Sequence, residues 1–302
     1  MNGRFVITGL LFAFLWASAA TATKIGLQSA QPFTLALVRF MIAGGLMIFI
    51  SNIILQNRLP RKQEWKGIAI YGLLNVTIYL GLYVLAMQST SAGIASLAIA
   101  INPVLISLMA SVLFKYRFTP VSVISLLLCS AGVLIAAWPL LKNSYATPLG
   151  LTILLISMVA YSGGAIYYTR QHWHELDVLT INGWQTMLGG LFLLPVAWWF
   201  YQPEKNLFDP RFWGGTLWLA IPVSIGAVQA WMVLLKQNPV AAAYWLYLCP
   251  VFGFIIASMV LHEPVGLYTV VGVTLVISGL YLVQRLASAK PEKQDQVKDI
   301  NG

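Results

Sequence analysis

Apolar residues run through this chain in long blocks, and short polar breaks separate one block from the next. A helix needs about 20 apolar residues to cross the hydrocarbon core of a bilayer. Measured that way, the sequence predicts ten spans, at roughly residues 5–25, 33–54, 67–87, 91–114, 121–140, 149–169, 178–200, 213–235, 240–261 and 265–285. Gln31-Pro32, Gln88-Ser89-Thr90, Asn143-Ser144, Gln237-Asn238-Pro239 and His262-Glu263-Pro264 mark breaks between them. Connections this short make neighbouring spans antiparallel hairpins. A membrane β-barrel is excluded, because its strands would alternate over about ten residues. Residues 290–302 form a polar tail.

Composition agrees. Hydrophobic residues make up 59%, charged residues 9%, and the mean hydropathy is +0.79. A soluble domain carries about 25% charged residues to face water, so most of this surface must meet lipid. An ordinary cytosolic enzyme, a disordered chain and a disulfide scaffold are excluded together. The net charge of +9 does not point to nucleic acid, because most basic residues sit between apolar blocks instead of in runs. Cys129 and Cys249 each lie inside an apolar block, so no disulfide is expected. Met1-Asn2-Gly3-Arg4 leads straight into the first block without a convincing cleavage site, so that block is read as a span and not as a signal peptide.

Lys and Arg near span ends set orientation. With both termini cytoplasmic, the inner side collects thirteen: Arg4, Arg58, Arg61, Lys62, Lys66, Lys115, Arg117, Arg170, Lys236, Arg285, Lys290, Lys293 and Lys298. The outer side keeps Lys24, Lys142, Lys205 and Arg211, and Arg39 lies within a span. Both ends are therefore expected inside.

The chain also repeats itself. A shift of 147 residues lays Pro103-Val104 on Pro250-Val251, Ala110-Ser111 on Ala257-Ser258, Gly132 on Gly279 and Gly67 on Gly214. Five spans per repeat is an odd number, so the second copy would be inserted upside down. Inverted repeats are a common plan of secondary transporters, with substrate held near the midplane between the halves. The expected organisation is a first five-helix repeat at 1–142, an inverted second repeat at 146–289 and a cytoplasmic tail at 290–302.

These features resemble the drug/metabolite transporter superfamily, specifically its EamA-type ten-span exporters. The resemblance rests on Trp16 and Lys24 in the first span, then Pro32 followed by Arg39-Phe40 in the second. It continues through the Ala-rich entry to the fourth span with Asn102-Pro103, Pro239-Val-Ala-Ala-Ala, Pro250-Val251 and the His262-Glu263 break. The chain departs from the family at Lys115-Tyr116-Arg117, where relatives often carry an acidic residue. The resemblance implies an all-α membrane protein that exports or exchanges small metabolites, in the plasma membrane of a bacterium.

Enzyme signatures are poor. Every Asp and Glu falls at a span end, in a loop or in the tail. His172, His174, Glu175 and Asp177 match no standard zinc spacing, so neither a metal nor another cofactor is expected. Without a mid-span carboxylate, facilitated diffusion or exchange is favoured over proton-driven pumping. Polar groups inside spans are costly and therefore informative. Asn75, Tyr79 and Tyr83 recur at i, i+4 and i+8, and Tyr244 and Tyr247 share a face, as do Tyr161 and Tyr168. Of these, all but Tyr168 join Trp16, Arg39, Asn102, Gln229 and Trp231 in the candidate substrate-binding set. Belt aromatics at the lipid interface are the competing explanation for each ring.

Three readings of Arg39 stand open: snorkelling to the surface, locking helices through carbonyls, or meeting a substrate carboxylate. Pro103 and Pro250 are candidate hinges, because a proline removes a helical hydrogen bond. The leading functional reading is a transporter of amino acids or related compounds working by alternating access. A sugar-phosphate or nucleotide-sugar exchanger is the alternative, with a membrane-embedded enzyme and a non-transporting receptor behind it. The expected partners are a small-molecule substrate and the lipid bilayer. A monomer is expected, with a homodimer through the small-residue stripes Ser125/Gly132 and Gly272/Gly279 as the other outcome.

Overall fold

The structure is a computed structural model that describes residues 3–99, 101–113, 120–142, 146–237 and 245–288. Helices dominate, and no strand occurs among the described residues. In chain order they are α1 (Gly3–Gly26), α2 (Pro32–Ile48), α3 (Lys62–Gly72), α4 (Tyr79–Ala86), α5 (Ala92–Ile99), α6 (Asn102–Leu113) and α7 (Pro120–Lys142). The second half supplies α8 (Pro148–Arg170), α9 (Val178–Trp199), α10 (Pro210–Trp218), α11 (Val228–Gln237), α12 (Leu248–Leu261) and α13 (Leu267–Ser288). Among the described residues, five continuous helical stretches are long and apolar enough to cross a membrane: Gly3–Gly26, Pro32–Ile54, Lys62–Ala86, Pro148–Arg170 and Pro210–Trp231. The protein is an all-α polytopic membrane protein.

Three widened π turns interrupt these helices, at Phe49–Ile54, Leu73–Ile78 and Leu219–Ala227. The second joins α3 to α4 and the third joins α10 to α11. Leu73–Ile78 falls inside Leu219–Ala227 under the 147-residue shift. Pro222 gives the later turn a local cause, since it has no N–H to donate.

The third span starts at Lys62, five residues before the apolar ruler places it. Glu64 is the reason. Its carboxylate accepts from the Arg61 backbone N–H at 2.6 Å and from both terminal nitrogens of Arg58 at 2.7 and 2.8 Å. Arg58 also donates to the His174 carbonyl at 2.6 Å. A carboxylate so fully satisfied can be buried in the first turn of a helix. The same pairing holds the Arg58 guanidinium above its ordinary pKa.

The two candidate hinge prolines sit differently from the mid-helix kinks the sequence suggests. Pro103 is the second residue of α6, after a turn at Ile101. Pro250 is the third residue of α12, after the 3₁₀ turn Trp245–Tyr247. In a first turn the missing N–H has no helical acceptor to lose, so both prolines begin helices instead of bending them.

Packing runs through small residues, as expected where lipid removes any hydrophobic drive between helices. α2 lies on α9, α1 on α10 and α12, α4 on α8, and α7 on α13. A methyl group added to Gly132 of α7 would strike the Gly272 carbonyl oxygen of α13 at 2.6 Å. One added to Gly279 would meet the Ser125 carbonyl at 2.9 Å. The Cys129 thiol donates to the Val276 carbonyl between these crossings. Both stripes are thus spent within one chain.

Alternate connections meet at the same end of the bundle. Leu207 N–H donates to Ser29, Gln31 bonds with Asn206, and Thr147 N–H donates to Ser89. These contacts gather the turns after α1, α4, α7 and α9 at what is here called the Lys24 end. The Arg58–His174 contact joins the turns before α3 and α9 at the opposite, Arg58 end.

Candidate substrate site

Three spans deliver a buried polar cluster. Tyr79 and Tyr83 project from α4, Tyr161 from α8 and Arg39 from α2. The Tyr79 and Tyr161 rings are 4.9 Å apart, and those of Tyr79 and Tyr83 are 6.2 Å apart. Arg39 is only 6% exposed, and its guanidinium lies close enough to the Tyr79 and Tyr83 hydroxyls to interact electrostatically. It donates to Ser224 Oγ at 3.2 Å and sits 5.8 Å from the Phe40 ring centre. No carboxylate pairs with it among the described residues, and its Nε has no hydrogen-bond partner.

A buried cation without an anion is expensive. Such a group is retained where something else completes it. The Tyr83 hydroxyl is likewise buried and unpartnered, as are Asn102 Oδ1 and Ser162 Oγ, on the neighbouring helices α6 and α8. The burial of Arg39 removes the snorkelling explanation, and no hydrogen bond to a helix carbonyl supports the locking one.

The π turn before α4 re-aims the polar residues around it. It breaks the expected shared face of Asn75, Tyr79 and Tyr83. Asn75 Nδ2 donates to Gln185 Oε1 of α9 at 3.3 Å, and Gln185 donates onward to Asn182 at 3.2 Å. Tyr79 and Tyr83 turn instead to α8. Widened turns of this kind recur at functional sites. Thr77 Oγ1 anchors this one by donating to the Gly189 carbonyl at 2.7 Å.

The sequence reading missed Tyr71, although it extends the i+4 series one turn earlier. Its ring is 5.1 Å from Tyr168, which is 5.3 Å from Trp173, and its hydroxyl interacts with Tyr161. The result is an aromatic ladder from Tyr83 through Tyr79, Tyr161, Tyr71 and Tyr168 toward the Arg58 end. Ser224 and Ser162 were missed too. A serine in an apolar span gives no pattern by which to pick it out.

Other candidates separate from this cluster. Trp231 stacks on Phe12 at 4.8 Å, and Trp16 is 5.8 Å from Phe12 on its other side. These rings form a second group with Phe5 and Trp245, between α1, α11 and the start of α12. Gln229 is exposed: Ala227, Ala230 and Leu234 make the buried side of its segment, and two residues' rotation carries Gln229 away from it. Tyr247 ends the 3₁₀ turn before α12. Tyr244 lies outside the described residues.

A sequence profile of the EamA-like transporter family matches residues 3–138 and 148–285. The chain belongs to the EamA-like transporter family. It is similar to a protein named uncharacterized transporter from Archaeoglobus fulgidus, 28% identical over 288 residues, covering 93% of this chain and 99% of that one. The uncharacterized inner membrane transporter YedA of Escherichia coli is 26% identical, covering 96% and 95%. Protein PecM of Dickeya dadantii is 24% identical, covering 91% and 92%. A crystal structure aligns at a TM-score of 0.67 over 96% of this chain and 99% of that one, at 18% identity, which speaks to the fold. EamA-like membership makes the protein an integral membrane transporter, in agreement with the resemblance read from its motifs.

Proposed function

We propose that this EamA-like protein is a secondary transporter of small carboxylate-bearing metabolites, amino acids or related compounds foremost, working by alternating access between two inverted repeats. It is not an enzyme. Arg39 receives the carboxylate, the Tyr79, Tyr83 and Tyr161 rings form an amphipathic wall, and the unpartnered Tyr83 hydroxyl and Asn102 side chain supply further hydrogen bonds. Pro103 and Pro250, each in the first turn of its helix, are where the halves flex. The single observation that carries this reading is the deeply buried Arg39, with no carboxylate partner among the described residues, beside a wall of tyrosines. Two stretches of family similarity, and π turns that coincide under the 147-residue shift, support the duplication.

The test is uptake into proteoliposomes, screened across amino acids, their decarboxylated amines and sugars, with and without a pH gradient. Carboxylate compounds should be transported or compete, and the matching amines should not. Transport of amines and sugars that is indifferent to carboxylates would overturn the assignment of Arg39.

A further inference from the structure

We propose that Glu263 is a latch that holds the Lys24 end of this transporter shut. The inference rests on the alternating-access reading. Glu263 lies in the short connection between α12 and α13, yet its carboxylate is only 6% exposed. It reaches across to α5, where Oε1 accepts from Ala92 N–H at 2.6 Å and Oε2 accepts from Gly93 N–H at 3.0 Å. Ser91 Oγ accepts from Ile94 N–H at 3.2 Å, so three of the first-turn donors of α5 are satisfied.

The connection is folded back to allow this. His262 takes a left-handed φ of 54°, and Glu263 N–H returns to the Ala257 carbonyl at 3.3 Å. The Lys24 ammonium of α1 lies close enough to interact with the same carboxylate. One carboxylate therefore ties α5 to the α12–α13 turn, drawn from the two halves of the chain, with the Lys24 charge of α1 nearby. Charge-assisted hydrogen bonds to a helix N-terminus are roughly twice as strong as neutral ones. Opening this end means breaking both together.

The test reads the Lys24 end directly and needs no substrate. Spin labels go on Gln88→Cys and Leu267→Cys, both exposed at the Lys24 end, in the full chain carrying Cys129→Ala and Cys249→Ala. The parent should show one short distance. Glu263→Gln keeps the size but removes the charge, and should raise a longer-distance population on the order of tenfold. A Glu263→Gln protein that melts like the parent yet gives an unchanged distance would overturn the latch. Should Glu263→Gln fail to fold, an unchanged distance in Ala92→Pro, which removes one of the two N–H donors at the first position of α5, overturns it instead. Failed uptake in proteoliposomes would count against the transport reading alone, because these distances are measured without flux.

Discussion

Arg39 concentrates the chemistry of this protein in one side chain. Burying a guanidinium away from any carboxylate costs several kcal/mol, so a neutral replacement should relieve the empty protein while disabling the loaded one. Arg39→Met is expected to raise the melting temperature in detergent and to abolish carboxylate uptake. Lower stability with intact uptake would return Arg39 to a structural lock. Tyr79→Ala removes a ring that faces both Tyr83 and Tyr161. Ring pairs of this kind contribute about 0.5–1.5 kcal/mol beyond area burial, so a several-fold loss of transport at near-normal expression is expected. Wild-type uptake by Tyr79→Ala would make these rings packing alone. The sequence revealed Arg39, Tyr79, Tyr83 and Tyr161 because a charge or a hydroxyl within an apolar block stands out. It misplaced Gln229 and the face of Asn75, because the first follows a widened turn and the second lies within one, and such turns change the helical phase. No period read from sequence carries that change of phase.

At the scale of elements, the seam between α7 and α13 shows what a pair of small-residue stripes does. Backbone approaches backbone there, so Gly132→Leu and Gly279→Leu should each destabilise the monomer, by about 1–3 kcal/mol or more. Thermal unfolding in detergent checks this. Variants that kept monomer stability but lost a cross-linkable dimer would instead make the stripes an oligomer interface. Five apolar stretches among the described residues were legible by length, whereas the early start of α3 was not. A ruler that stops at charge cannot foresee that Arg58 and the Arg61 N–H will let Glu64 enter the helix. The first-turn prolines were equally hidden. A proline in an apolar block reads the same whether it bends a helix or starts one.

Across the whole molecule, orientation is the property most directly open to test. From thirteen basic residues on one side against four on the other we propose that both termini, and the turn carrying Arg58, Arg61 and Lys62, face the cytoplasm. Reporter fusions at the tail beyond Ser288 and cysteine labelling of the Arg58 turn should agree on that side. An external tail would reverse every directional statement, including which compartment the Lys24 end faces. The α7–α13 seam has a consequence for heredity as well. At Gly132 an added methyl group would meet the Gly272 carbonyl oxygen of the facing helix as well as the Val276 side chain. A suppressor screen on Gly132→Ala should therefore yield true reversions or trimming at Val276, and no compensating change at position 272, where no side chain is left to remove. At this crossing each glycine holds the other in place.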